Sequence, residues 1–319
     1  MERTVLVKKI RKWLFRLLVV LLILLVAGFV FQSCSNRRDV ANFPMRGSLV
    51  DINTHQLHLY CVGEGSPTVM LEAGLGNMVL SWTEVQSQLA LETRICSYDR
   101  AGYGHSEPGP FPRSAGQVVN EFDKLISSAG LEPPFVLVGH SNGALYSRLY
   151  ERMRPENVAG LVLIDPNPEN APNCPQLPPL IRSIYGALVA LSEFGVPRLA
   201  LPFLFPIPEN LKKDAGEEFA ALRARGPFLR ALLSETDEAC QLLEQVRNAG
   251  KPAAGLPVWV LSADRGANHE VTTLHTLWVK SVPGTEIRVI EDSGHWIQRD
   301  RPEVVIDVVT TVVEQVRAR

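Results

Sequence analysis

Short apolar runs recur along the chain after residue 48, and most are four to eight residues long and end in Gly, Asp or Asn. This pattern is typical of strands. We predict eight strands, at 49–52, 56–62, 68–73, 94–98, 135–139, 158–165, 258–262 and 286–290. Helical spacing between the later runs predicts helices at 81–91, 114–129, 144–153, 270–280 and 302–317. The alternation predicts an α/β fold whose sheet is mostly parallel after an antiparallel start, with helices on both faces.

The alternation stops between Asp165 and Val258, where roughly ninety residues replace the single helix that usually joins two parallel strands. This segment opens with the proline-rich run DPNPENAPNCPQLPP and continues with apolar helical stretches. Both of its ends join core strands, which favours a lid over an independent domain. We predict a core of residues 48–165 and 256–319, and a mainly helical cap at 166–255 after the sixth strand.

The N-terminal segment is apolar and unbroken. Basic residues, among them Lys8, Lys9, Arg11, Lys12 and Arg16, precede the uncharged run 17–31. With its flanks the run reaches the ~20 residues that a helix needs to cross a bilayer. The basic residues place the N-terminus in the cytoplasm and the body of the protein outside. We predict a membrane anchor or signal segment at 1–34 and a polar linker without helical periodicity at 35–47. A cleaved signal peptide and a lipoprotein signal that ends at Cys34 are the alternatives.

Composition narrows the class of protein. The 319 residues are 46% hydrophobic and 21% charged, which suits a chain that buries a large core. The net charge is −2 at pH 7, and no long basic run follows the first sixteen residues, so nucleic acid is not an expected partner. No cluster of Cys and His has the spacing of a zinc site, and we expect neither a metal nor a cofactor.

The run VLVGHSNGAL leads from a predicted strand into a predicted helix and contains the pattern Gly-x-Ser-x-Gly. Gly139 and Gly143 let the strand and the helix approach closely, and Ser141 then occupies a strained turn that lifts its hydroxyl above the sheet. A serine hydroxyl becomes a nucleophile only when a base accepts its proton. His295 in EDSGHWIQRDRPE follows the last predicted strand and is the expected base, whereas His140 is expected to pack or hydrogen-bond beneath the turn.

The chain resembles the α/β-hydrolase superfamily, and its exported, serine-dependent hydrolases and esterases, in five segments: LEAGLG, YDRAGYGHSEPGP, VLVGHSNGAL, GLVLID and SGHWIQRDRPE. The resemblance covers about residues 50–309 and is weak across the cap. It implies the α/β-hydrolase fold, in which an eight-stranded sheet carries the active site at the carboxyl ends of its strands. It does not define the substrate.

The resemblance also implies further site residues. Two backbone amides stabilise the oxyanion in such enzymes, and the matching amides here belong to Leu75 and Asn142. The chain has Glu-Ala-Gly where many relatives have His-Gly, a departure that affects the orientation of this loop more than its amides. Two aspartates match places where the fold holds the acid that orients the base, with Asp165 slightly favoured over Asp264 and Glu270 a distant third.

Four cysteines follow the N-terminal segment, and export makes disulfides possible. The strand order of the superfamily places Cys61 and Cys96 on adjacent strands, where a bridge is expected. Cys174 and Cys240 both lie in the insertion, where a bridge would staple the cap. Four buried thiols are the alternative.

These features predict a membrane-anchored serine hydrolase, in the first place a carboxylic ester hydrolase that uses Ser141, His295 and Asp165 (or Asp264) and an acyl-enzyme. We expect a single-pass protein whose N-terminal helix lies in the lipid bilayer and whose catalytic domain is extracytoplasmic. The substrate is expected to be a small ester or acyl compound, and the cap runs IYGALVAL and LALPFLFPIP form either an apolar acyl pocket or the cap's own core. The alternatives are aminopeptidase, carbon–carbon hydrolase or haloperoxidase chemistry, and a non-catalytic binding protein.

Overall fold

A computed structural model of the chain describes residues 2–169, 174, 176–207, 211, 213–264 and 269–319. Within them lie the strands β1 (Ser48–Asp51), β2 (Gln56–Val62), β3 (Thr68–Glu72), β4 (Ile95–Tyr98), β5 (Phe135–His140), β6 (Val158–Ile164), β7 (Val258–Asp264) and β8 (Thr285–Glu291). They form one sheet in the order β1-β2-β4-β3-β5-β6-β7-β8. Strand β2 is antiparallel to β1 and β4, and the other neighbouring strands are parallel. The predicted mostly parallel sheet with an antiparallel start is confirmed.

The helices follow the predicted alternation, with ends that shift by one or two residues. They are α1 (Glu2–Asn42), α2 (Thr83–Leu89), α3 (Ala115–Ser128), α4 (Asn142–Met153), α5 (Pro179–Ala190), α6 (Val196–Leu204), α7 (Lys213–Arg223), α8 (Gly226–Asp237), α9 (Ala239–Ala249), α10 (His269–Ser281), α11 (Ile297–Asp300) and α12 (Pro302–Arg317). A short 3₁₀ turn, Val79–Trp82, forms the start of the helix predicted at 81–91.

Helices cover both faces of the sheet, which explains why its central strands are apolar along most of their length. Strands β3 and β5 are buried along their whole length. Because side chains alternate along a strand, Met70 packs into the cluster under α3 and α4, whereas Leu71 packs into the cluster under α2 and α12. Continuous apolar runs, rather than alternating ones, are what a sheet buried on both faces requires.

The cap consists of α5 to α9, between β6 and β7, as predicted. Its last helix, α9, packs on α4 of the core and contributes Leu242 and Val246 to the cluster there. A third cluster joins Met78 and Tyr103 of the core to Phe228 and other apolar residues of the cap. The cap therefore shares its hydrophobic contacts with the core instead of enclosing a separate one.

The first helix is longer than predicted. Within the described residues it is the one helix long and apolar enough to cross a membrane, by length and composition. The predicted non-helical linker at 35–47 is wrong up to Asn42, where α1 ends. Gln32, Asn36 and Asp39 lie on one face of the helix, and Arg198 of the cap donates to the first two at 2.9 and 2.8 Å and pairs with the third. These contacts hold the end of α1 against the cap and explain why it stays helical.

Both predicted disulfides are present. Cys61 and Cys96 face each other on β2 and β4, in direct register. Cys174 is joined to Cys240 of α9, and this bridge ties the start of the cap to its last helix. Cys34 is an exposed free thiol on α1.

Candidate active site

Ser141 sits at the turn between β5 and α4, in the backbone conformation that the glycine pattern predicts. Its φ of 55° and ψ of −121° lie in a region that residues other than glycine rarely adopt. A Cβ at Gly143 would come within 2.3 Å of the carbonyl oxygen of Glu72, and one at Gly139 within 2.5 Å of Ala144. Glycine at both positions is therefore required for the chain to turn this sharply.

His295 lies in the loop between β8 and α11, and its ring contacts the carboxylate that ends β6. Nδ1 of His295 is 2.6 Å from Oδ2 of Asp165. The other oxygen, Oδ1, accepts a hydrogen bond from the backbone N–H of Ala263 at 3.1 Å. The Asp165 side chain is 3% exposed and that of His295 41% exposed, so the carboxylate is shielded while the ring remains open to a ligand.

The structure thus brings His295 together with Asp165, the favoured aspartate. Asp165 has a φ of 41°, which turns its side chain out of the line of β6, and its N–H bonds the carbonyl oxygen of Leu261 on β7. Asp264 is the last residue of β7 and is half-buried. Glu270 lies in the first turn of α10 and is exposed.

His140 supports the backbone of His295 from below, as expected for the residue beside the serine. Its Nε2–H donates to the carbonyl oxygen of His295 at 2.7 Å, and the two rings lie 4.7 Å apart. Burial, and then the charge of His295, lower the pKa of His140 well below its ordinary value. His140 is therefore a neutral hydrogen-bond donor that holds the backbone of His295 in place.

The loop after β3 lies against the serine. A Cβ at Gly74 would come within 3.2 Å of the Ser141 Cβ and 2.8 Å of the His140 ring. Leu75, the next residue, lines a cleft described below. Asn142 is the first residue of α4, where backbone N–H groups lack helical partners and the helix dipole favours negative charge. The predicted oxyanion amides therefore belong to the two segments that border Ser141.

A buried arginine that the sequence analysis missed holds the loop after β3. Arg100 donates to the carbonyl oxygens of Ala73 and Gly74 and to Glu72, whose Oε1 is 2.6 Å from Nη1. It also forms two hydrogen bonds, of 3.0 and 2.9 Å, with Glu235 of the cap helix α8. The guanidinium of Arg100 thus joins the loop after β3 to the cap. This loop is the one that has Glu-Ala-Gly in place of His-Gly.

The buried group around Arg100 has more acidic than basic side chains. Two carboxylates flank one guanidinium, and the Tyr98 hydroxyl donates to Glu72. Burial, opposed by Arg100, raises the pKa of Glu72 to about 7. The signal in the sequence was a basic residue two positions after the buried strand β4, in YDRAGYG. Its partner in α8 lies 135 residues further along the chain, so the sequence did not reveal the pair.

An apolar cleft with a volume of about 240 Å³ separates the core from the cap beside these residues. Leu75 and Trp296, the neighbour of His295, line its core side. Its cap side includes Tyr185, Leu201 and Phe205, which come from the two apolar runs singled out in the sequence. These runs therefore line a cavity as well as pack the cap. Among the described residues, no three His, Cys, Asp or Glu side chains converge to hold a metal ion.

Comparisons with known proteins agree with this architecture. The chain is 35% identical over 104 residues to YqjL of Bacillus subtilis, which covers 33% of this chain and 41% of YqjL. It is 35% identical over 107 residues to an AB hydrolase superfamily protein of Gibberella zeae, which covers 32% of this chain and 33% of that protein. The chain thus spans less than half the length of these curated relatives.

Solved structures extend the likeness to the whole body of the protein. The epoxide hydrolase VrEH1 from Vigna radiata superposes with a TM-score of 0.67, at 18% identity, over 84% of this chain and 97% of that one. At this identity the likeness concerns the fold. The model of the alpha/beta hydrolase family matches residues 69–308, which is well over half of the chain. The chain therefore belongs to the alpha/beta hydrolase family.

Proposed function

We propose that the protein is a membrane-anchored serine hydrolase that cleaves carboxylic esters. The observation that carries this proposal is the pairing of His295 with the buried carboxylate of Asp165, together with a serine on a strained turn whose N–H bonds the carbonyl oxygen of Ile164, the residue before Asp165. A nucleophile, a base and a group that orients the base form the unit that activates a serine hydroxyl. Membership of a hydrolase family agrees with this chemistry.

In the proposed reaction, the Ser141 hydroxyl attacks the ester carbonyl while Nε2 of His295 accepts its proton. Asp165 holds Nδ1–H of the ring, so Nε2 is the atom free to act as base. The amides of Leu75 and Asn142 stabilise the negative charge on the carbonyl oxygen. His295 then gives its proton to the leaving alcohol, and a water molecule hydrolyses the acyl-enzyme with the same histidine as base.

The residue at position 141, at the turn between β5 and α4, distinguishes between the reactions that this fold supports. The epoxide hydrolase mechanism requires an aspartate nucleophile, and this chain has Ser141 at that position. An aminopeptidase needs a carboxylate near the site to hold the substrate ammonium group. Among the described lining residues of the cleft, the single charged one is Arg223, which disfavours a cationic substrate.

The proposed location is a membrane, with the catalytic domain on its extracytoplasmic side. The basic residues before the apolar part of α1 favour a cytoplasmic N-terminus, and two disulfides are typical of an oxidising compartment. The backbone carbonyl of Phe194 packs on Gly28 and the Phe31 ring packs on Gly195, so the cap contacts the apolar part of α1 itself. The cap would therefore lie at the membrane surface.

Turnover of p-nitrophenyl butyrate tests the proposed activity. We expect the wild type to hydrolyse this ester and Ser141→Ala to lower kcat by about 10⁴-fold or more, because the nucleophile is lost. Ser127→Ala, an exposed serine on α3, should behave as the wild type. Absence of wild-type turnover across p-nitrophenyl esters of increasing chain length would favour a non-catalytic binding protein.

A further inference from the structure

Arg223 is a buried charge in the wall of the cleft. It is the last residue of α7 and is 8% exposed. The same cleft reaches Leu75 and Trp296, which are next to the oxyanion loop and to His295. Of the described residues that line this cleft, Arg223 is the one that carries a charge, while its neighbours there are aliphatic or aromatic.

No carboxylate in the described part of the chain pairs with Arg223. Its Nε is buried and has no hydrogen-bond partner there. Burial lowers the pKa of Arg223, and Tyr185 is the neighbouring group that opposes this shift. Its Cζ lies 5.8 Å from the centre of the Phe219 ring. A buried cation without an anion is costly, so the position is difficult to explain by stability alone.

Two other buried arginines of the protein, Arg113 and Arg100, are paired with carboxylates. Arg113 forms two hydrogen bonds of 2.7 and 2.6 Å with Glu121. Arg100 is flanked by two glutamates, as described above. Arg225, two residues from Arg223, is only partly buried and lies outside the cleft, and the charges of Asp39 and Glu218 partly oppose the burial that lowers its pKa. Arg223 differs because none of the described residues that line the cleft around it carries a negative charge.

A second guanidinium makes the same region more positive. Arg299 lies 4.1 Å over the Trp296 ring and 5.9 Å from the centre of the Phe219 ring, so Arg223 and Arg299 both contact Phe219. Its hydrogen bonds go to neutral side chains, and burial lowers its pKa to about 10. An incompletely compensated cation in the wall of the cleft, with a second one stacked on the lining residue Trp296, attracts an anion.

We propose that Arg223 binds a carboxylate of the substrate, and that the preferred esters carry this carboxylate at the end of a short apolar chain. The guanidinium supplies paired donors for a carboxylate, and the apolar lining between it and the catalytic residues suits a hydrocarbon chain. This inference rests on the proposed ester hydrolysis and names its substrate class. Arg223 is then a specificity-determining residue of the cleft.

Paired substrates test this assignment with the full-length protein in detergent. Mono-p-nitrophenyl glutarate, adipate and pimelate are compared with p-nitrophenyl pentanoate, hexanoate and heptanoate, which have the same chain lengths without the terminal charge. A second arm compares the acetyl ester of a terminal hydroxyhexanoate with hexyl acetate, which moves the carboxylate to the alcohol side. We expect the wild type to prefer the charged ester over its matched neutral ester in one of the two arms, either with the carboxylate on the acyl side or with the carboxylate on the alcohol side.

Arg223→Met should lower kcat/KM for the preferred charged ester about 10- to 100-fold and change that for the matched neutral ester about twofold at most. Arg223→Lys should restore part of the preference, because it restores the charge without the paired donors. Arg225→Met is the matched control, since it removes a nearby, partly buried guanidinium from outside the cleft, and it should keep the preference.

Adipate binding to Ser141→Ala, measured by calorimetry, separates this inference from the proposed activity. Adipate should bind Ser141→Ala and bind Ser141→Ala/Arg223→Met at least tenfold more weakly. Arg223-dependent adipate binding without turnover of any ester would overturn the hydrolase proposal alone. A wild type that prefers the neutral ester in both arms, or adipate binding that is unchanged by Arg223→Met, overturns the carboxylate site.

Discussion

Replacing Asp165 with asparagine is expected to lower kcat for ester hydrolysis about 10⁴-fold, while the protein stays folded. The carboxylate accepts the Nδ1–H of His295 at 2.6 Å and stabilises the imidazolium that forms when the serine loses its proton. An amide of the same shape cannot stabilise that charge, and its NH₂ group favours the wrong tautomer of the ring. Steady-state kinetics with p-nitrophenyl butyrate, alongside circular dichroism, measures the effect.

Asp264→Asn is the matched control for this prediction. It changes the same side-chain type at the end of the adjacent strand β7. We expect it to retain kcat within about threefold, since Asp165 supplies the carboxylate next to His295. The reverse result, with Asp264→Asn inactive and Asp165→Asn active, would contradict the assignment of the acid.

Arg100→Met is expected to cause the largest loss of stability, about 3 to 5 kcal/mol in the free energy of unfolding. The substitution leaves Glu72 and Glu235 buried without their cation, and it removes the donors that hold the carbonyl oxygens of Ala73 and Gly74. We also expect a lower kcat in the folded fraction, because the amide of Leu75 loses its support. Urea denaturation and kinetics below the transition measure the two effects.

An exposed ion pair of the cap provides the control for Arg100→Met. Arg182 pairs with Asp237 at 2.7 Å on the surface of α5 and α8, where both side chains face solvent. Arg182→Met should leave both the free energy of unfolding and kcat nearly unchanged. Equal effects of Arg182→Met and Arg100→Met would show that the buried pairing has no special role in joining the cap to the loop.

Local pattern was sufficient to predict the sheet. Its strands are short apolar runs that end in turn residues, and the run Phe135–His140 followed by a Gly-x-Ser-x-Gly turn specifies the strand, turn and helix around Ser141. The acid was harder to assign because β6 and β7 are adjacent and parallel, so Asp165 and Asp264 end at the same edge of the sheet. The choice depends on the backbone of Asp165, whose φ of 41° directs the side chain toward His295.

Contacts between distant segments could not be predicted from the sequence. The end of α1, up to Asn42, is held by Arg198 of the cap. The polar residues at this end of α1 span too few turns for their spacing alone to predict a helix. The pairing of Arg100 with Glu235 likewise requires knowledge of how the cap packs on the core. The apolar residues of the cap helices show little regular spacing, because these helices pack on several surfaces at once.

The central claim is that Ser141 is a nucleophile activated by His295. Reaction with a fluorophosphonate, followed by intact mass measurement and peptide mapping, tests it most directly, because such probes modify activated serines and leave ordinary ones unchanged. We predict one adduct per chain, located on Ser141, with labelling absent in Ser141→Ala and strongly slowed in His295→Ala. A wild-type protein that stays unlabelled, or that is labelled at another residue, would contradict the proposed function.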